Sequence, residues 1–224
     1  MMKLSDMIFS LLFPPKCLLC RRVLEQNELD LCHQCRAEGP ECLNQRKKLP
    51  FIDSWAAVWY YEKEARNSLL RYKFRSARSY AKGYGRLLAM KLQEAHPEGF
   101  DLLTWVPISR LRKLRRGYDQ VELLAQAVGQ ELQLEPVALL KKIRHNPPQS
   151  GIVGEAQRRA NVLGAYQVID PASLAGKRIL LLDDIITTGA TAGECARVLL
   201  TAGAKEVHCG AVAVARHQSN NKIR

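Results

Sequence analysis

Residues 179–191 read Ile-Leu-Leu-Leu-Asp-Asp-Ile-Ile-Thr-Thr-Gly-Ala-Thr, and no other stretch limits the fold as tightly. Four apolar residues ahead of two carboxylates describe a strand buried on both faces whose polar end emerges at the edge of a sheet. Two more apolar residues lead into a Thr/Gly turn, and residues 191–202 continue with helical periodicity. Ligands of open α/β sheets bind beyond the carboxyl ends of the strands. A Thr/Gly turn entering a helix offers unpaired backbone amides, a positive dipole end and hydroxyl donors, which suits one phosphate. Gly189 lets the backbone turn closely around the phosphate oxygens. Asp183 and Asp184 would repel that phosphate. They are suited instead to accepting from sugar hydroxyls or holding magnesium through hydroxyls and waters. Phosphate on one side and diol acceptors on the other describe a ribose 5-phosphate. The blander reading is a pair of solvated aspartates followed by a threonine-capped helix; it explains each half but not their conjunction. No Gly-Lys-Ser/Thr follows, which disfavours nucleoside triphosphatase chemistry.

The remaining chain alternates strand and helix patterns. Residues 55–61 and 101–107 read as strands, and residues 64–72, 78–95 and 118–132 as helices with apolar faces. Residues 138–143 form a short apolar piece, and residues 207–215 a final strand. The stretch 108–117 reads as a basic loop, and 144–159, with Pro147, Pro148, Ser150, Gly151 and Gly154, as a long mobile loop of the kind that serves as a lid. The alternation predicts an α/β fold with a mainly parallel sheet flanked by helices. A length of 224 residues leaves room for one domain plus a small module. The predicted division is 1–50 for the module and its linker, and 51–224 for the α/β domain.

Cys17-Leu-Leu-Cys20 and Cys32-His-Gln-Cys35 supply that module. Two C-x-x-C knuckles point four thiolates at one ion, the pattern of a closed structural zinc site. The competing reading is a redox pair, but such a pair normally opens a helix, and two would be superfluous. Arg21, Arg22 and Arg36 are placed to offset the charge of four thiolates. Cys42 is an alternative ligand, and His33 a poor one because it adjoins Cys32. The segment is too short to bury a core alone, so metal binding is expected to supply folding energy. Cys195 and Cys209 sit in apolar surroundings and read as buried core residues.

The net charge of +12 implies an anionic partner, either nucleic acid or a small phosphorylated ligand. Two runs concentrate it: 66–86 carries seven cations and no acid, and 110–116 carries Arg110, Arg112, Lys113, Arg115 and Arg116. Either run can be a solvated face. Tyr72, Phe74 and Tyr80 are interleaved with Arg71, Lys73, Arg75 and Arg78, which suits core packing or base stacking on single-stranded DNA. No secretory signal and no stretch of membrane-spanning length is evident, so the chain is expected to be cytoplasmic, with reduced cysteines.

The segment 179–191 resembles the phosphoribosyl pyrophosphate motif of type I phosphoribosyltransferases. The paired knuckles, Arg115-Arg116-Gly117-Tyr118-Asp119-Gln120, Asn146-Pro147-Pro148-Gln149-Ser150-Gly151, Arg158-Arg159-Ala160-Asn161 and that motif come in the order found in the ComF family. The resemblance covers nearly the whole chain; where the family often has Asn, this chain has Asp119. It implies a type I phosphoribosyltransferase fold that binds phosphoribosyl pyrophosphate with magnesium, with an N-terminal four-cysteine zinc module. It implies transfer of phosphoribose to an unspecified acceptor. Alternatively it implies a non-catalytic role in binding single-stranded DNA with the DNA-uptake machinery of natural transformation. By the same resemblance, Asp183 and Asp184 meet the ribose hydroxyls, and Thr187, Thr188, Gly189, Ala190 and Thr191 the 5-phosphate. Arg110, Arg115 and Arg116 would meet the pyrophosphate. The loop 146–159 would close as a lid, with Arg158 or Arg159 approaching the leaving group. Arg216 and His217 are weaker candidates for the acceptor pocket.

Overall fold

The computed structural model describes residues 14–43, 48–74, 78–144, 146, 151–152 and 154–216. A short helix α1 (His33–Glu38) follows the first cysteine turn. Then come β1 (Ser54–Tyr60), α2 (Lys63–Phe74), α3 (Tyr80–Ala95), β2 (Leu102–Trp105), α4 (Arg110–Arg116), α5 (Gln120–Leu132), β3 (Leu140–Lys142) and α6 (Glu155–Val162). The chain continues through β4 (Tyr166–Val168), a 3₁₀ turn (Pro171–Leu174), β5 (Arg178–Ile186), α7 (Ala190–Thr201) and β6 (Glu206–Val214).

Four strands form one parallel sheet in the order β1-β6-β5-β2. Parallel neighbours need crossovers, and crossover helices cover both faces of a sheet. The run 179–182 shows the consequence. Ile179 and Leu181 join the apolar cluster under α7 and the β3–β4 pair, while Leu180 and Leu182 join the cluster under α2, α3 and α5. All four are fully buried, and each contributes roughly 1.5–3 kcal/mol. Helices α3 and α5 approach so closely that a Cβ on Gly85 would lie 2.5 Å from that of Ala127.

Three elements depart from the sequence expectation. The basic stretch 108–117 is not a loop, because α4 occupies Arg110–Arg116. Its residues are good helix formers, and Gly117 ends it in the left-handed region at φ 75°. The second half of the expected loop 144–159 is also helical: α6 starts after Gly154 and runs to Val162. The strand β4 carries no periodicity of its own. Its three residues pair antiparallel with β3, Leu140 opposite Val168. Residues 147–150 lie outside the described residues. Cys195 and Cys209 are fully buried, as expected.

Candidate functional site

A cleft of about 810 Å³ opens where β5 ends and α7 begins. Its floor is Asp183 and Asp184, and its turn is Thr187, Thr188, Gly189, Ala190 and Thr191. Gly189 is the N-cap of α7 at φ 82°, and a Cβ there would stand 2.5 Å from Leu49 Cδ2. The positive φ favours glycine at this position, and a Cβ would also force the Leu49 methyl to shift. Gly189 has no side chain to cap α7, and the Ala190 N–H donates to Thr188 Oγ1 at 3.3 Å. Leu49 and Pro50, at the end of the segment expected to be a linker, pack against this turn and its helix.

The cleft is also walled by cations. Arg112 and Arg116 on α4, Lys142 on β3 and Arg158 on α6 all line the cleft. Arg112 donates to the Asn146 carbonyl at 3.1 Å, and Arg116 to Gln120 Oε1 at 2.8 Å. Burial lowers the Arg112 pKa, and the Arg116 charge adds to the shift. Burial likewise pushes Lys142 down to about 8, with Arg112 adding to it, while its ammonium stands 5.1 Å over the Tyr166 ring. Cations that depress one another in a half-buried wall favour an anion between them.

The acidic pair is held differently at its two members. Asp183 accepts the Asp184 backbone N–H at 2.8 Å. Burial first, and then the Asp184 charge, push the Asp183 carboxyl up to about 8. Asp184 Oδ2 receives the Lys73 ammonium at 2.8 Å. With one Asp183 oxygen taken by a backbone amide and one Asp184 oxygen by a lysine, the pair fits a divalent cation poorly in this arrangement.

Of the residues expected at the site, Arg116, Arg158, the aspartates and the whole Thr/Gly turn share the cleft. Arg159 is exposed and is not among the residues lining it, because successive helical residues point about 100° apart. Arg110 and Arg115 lie on α4, but their side chains lie outside the described residues. Arg216 stacks 3.9 Å over Tyr60 and pairs with Glu62 at 3.0 Å, a surface clamp. His217 lies outside the described residues. Sequence reading passed over Lys73, Arg112 and Lys142 as site residues. The i, i+4 spacing of Arg112 and Arg116 was a usable signal once 110–116 is helical. Asp119 caps α5 by accepting from Val121 and Glu122 N–H, and it also accepts from Ile108 N–H.

The interleaved aromatics divide. Tyr72 is fully buried and donates to the Gln120 carbonyl. Tyr80 packs edge-on against Tyr84. Phe74 is 65% exposed, lines the cleft and lies 5.1 Å beneath the Arg116 guanidinium. Arg75 lies outside the described residues.

Sulfurs of Cys17, Cys20, Cys32 and Cys35 all lie within 4.8 Å of one another. The Cys20–Cys32 separation is 3.7 Å, close to the ~3.8 Å edge of a tetrahedron with 2.3 Å metal–sulfur bonds. This cluster can hold a metal ion such as zinc. Cys42 is not a member. Arg22 pairs with Glu28 at 2.5 Å and also interacts with the Cys32 thiol, as expected of a cation beside the cluster, whereas Arg36 donates to the Leu29 carbonyl. The module docks on α2 and α3. Ser68 donates to the Leu18 carbonyl, Arg71 donates to those of Leu18 and Leu19 at 2.9 and 2.7 Å, and Arg86 forks onto Asp30. Among the described residues no helix is long and apolar enough to cross a membrane.

Residues 115–224 match the phosphoribosyl transferase domain. The chain is 26% identical over 218 residues to competence protein F of Haemophilus influenzae, covering 86% of this chain and 93% of that protein. It is 31% identical over 154 residues to competence protein ComFC of Streptococcus pneumoniae, covering 69% of this chain and 65% of that protein. Among solved structures, adenine phosphoribosyltransferase from Saccharomyces cerevisiae aligns with 63% of this chain and 71% of its own, at 20% identity and a TM-score of 0.40. The likeness to competence protein F reaches well beyond residues 115–224, and the chain belongs to the ComF family, proteins with a type I phosphoribosyltransferase fold.

Proposed function

We propose that the cleft binds phosphoribosyl pyrophosphate and that the protein transfers its phosphoribosyl group to an acceptor. One observation carries the reading: the Thr/Gly turn, the acidic pair and the cations line a single cleft. In this reading the turn from Thr187 to Thr191 holds the 5-phosphate through backbone amides and hydroxyls. Asp183 and Asp184 accept from the ribose hydroxyls. Arg112, Arg116, Lys142 and Arg158 meet the pyrophosphate, joined by Arg110 and Arg115 from α4. In the transfer the anomeric C–O bond breaks and pyrophosphate leaves with the electron pair. The acceptor's lone pair forms the new bond. The cation wall stabilises the charge that develops on the leaving group, and no protein nucleophile is required. In the same reading, residues 1–50 form a structural module whose four cysteines bind zinc, and residues 51–224 carry the activity.

Calorimetric titration with phosphoribosyl pyrophosphate tests the binding. Pyrophosphate release with a panel of acceptors tests the transfer, with Asp183→Ala and Asp184→Ala expected to abolish it. Tight binding without release across the panel would leave a binding protein and remove the enzyme.

Phe74 favours a second reading alongside the first. An exposed ring under a guanidinium at the mouth of a cationic cleft is a platform on which a base of single-stranded DNA can stack. The competence names of the relatives agree with it. Salt-dependent binding of single-stranded DNA, weakened by Phe74→Ala, is the expected result. No binding at low salt would dismiss it.

A further inference from the structure

The Lys73–Asp184 pair sits on the floor of the cleft, where both residues line it. Side-chain exposure is 19% for Lys73 and 11% for Asp184, so water screens the pair little. Lys73 is the penultimate residue of α2, and its position is pinned from both sides. Tyr72 donates to the Gln120 carbonyl at 2.5 Å, and Tyr118 donates to the Tyr72 carbonyl at 2.6 Å. These bonds tie the end of α2 to the start of α5 and fix the backbone from which the Lys73 side chain reaches Asp184.

We infer that Lys73 is the resident counter-ion of the acidic pair, and that the cleft therefore binds a ribose phosphate without a divalent cation on its aspartates. The inference rests on the ribose-phosphate reading above and specifies how that site is neutralised. A carboxylate in a poorly hydrated cleft is stabilised in its charged form by an adjacent cation, which can be a metal or a side chain. Here the lysine takes that place at 2.8 Å and leaves the other carboxylate oxygens to accept from the diol. A metal on Asp184 would have to displace an ammonium or crowd against it, and either is unfavourable.

The test is titration calorimetry with ribose 5-phosphate, a probe that has the phosphate and the diol but no pyrophosphate to carry its own metal. Wild-type protein, Lys73→Met and Lys73→Arg are each titrated in magnesium and in a chelator too weak to strip the cysteine site. Wild-type affinity is expected to change less than about threefold between the buffers. Lys73→Met is expected to bind at least about tenfold more weakly without magnesium and to recover with it, since its acidic pair has lost its cation. Lys73→Arg, which keeps the charge, is expected to follow the wild type and guards against a folding defect in the methionine variant. Wild-type binding that appears only with magnesium overturns the inference and leaves the ribose-phosphate reading standing. So does a Lys73→Met profile indistinguishable from wild type. No heat from the wild type in either buffer removes the ribose-phosphate reading itself, and the inference with it.

Discussion

Every thiol of the cysteine module comes from the chain between Cys17 and Cys35, whereas the cleft draws on residues from Tyr61 to Ala192. The module's geometry is set by two tight turns, and its ligands need only be counted. The cleft's geometry is set by where β5, α2, α4, β3 and α6 come to rest. The module depends on the domain for its apolar packing: Leu18, Leu19 and Leu31 share a core with Tyr72 and Tyr84. The domain in turn meets the module through one arginine fork and a few carbonyl contacts. The local site is therefore legible but leans on the domain for its packing, and the dispersed site is only partly legible.

Removing the metal ligands should break this comparison most visibly. Cys32→Ser is expected to abolish zinc retention, read by atomic absorption, and to lower the unfolding midpoint by roughly 10 °C or more, because the loss spreads through the shared core. An unchanged midpoint would mean that the module contributes nothing to the domain.

Arg71→Ala separates docking from metal binding. It removes donors at 2.9 and 2.7 Å from the Leu18 and Leu19 carbonyls, at a cost of about 2 kcal/mol by denaturant unfolding. Zinc content and phosphoribosyl pyrophosphate affinity are expected to hold, because Arg71 lines neither site.

Gly189→Ala probes the cleft alone. The positive φ and the Leu49 contact predict about 1–2 kcal/mol of destabilisation, together with weaker binding of ribose 5-phosphate by about tenfold. Zinc content should not move.

The smallest effect is a pH dependence of the cation wall, added to that of Asp183. The Lys142 pKa is depressed to about 8 from an unfolded value near 10.5. The free folded protein therefore loses that proton as pH rises through about 8, and pyrophosphate affinity should fall across this range by at most about tenfold per pH unit. Stability should move the other way, because between those two values the unfolded chain binds more protons than the folded one. Lys142→Met should remove the Lys142 part of both curves and leave the part set by Asp183, measured by calorimetry and by thermal melts in matched buffers.

The parallel sheet, the zinc-type cluster and the Thr/Gly turn were readable because each is encoded by neighbours in sequence. Four apolar residues must be buried on both faces, two C-x-x-C turns must converge, and a glycine must take φ 82° before α7. The stretch 110–116 was misread as a loop because its charge masked its helical propensity. Two adjacent arginines then parted: Arg158 entered the cleft, and Arg159 did not.

The sequence by itself determined that a strand would end in two aspartates beside a phosphate-binding turn, since periodicity and turn chemistry act over a few residues. Only the tertiary structure decided what neutralises those aspartates. Lys73 lies more than a hundred residues from Asp184, and neither its charge nor its spacing singles it out within the basic run. It reaches Asp184 because two tyrosine hydrogen bonds tie the end of α2 to the start of α5, a placement set by tertiary contacts and not by local pattern.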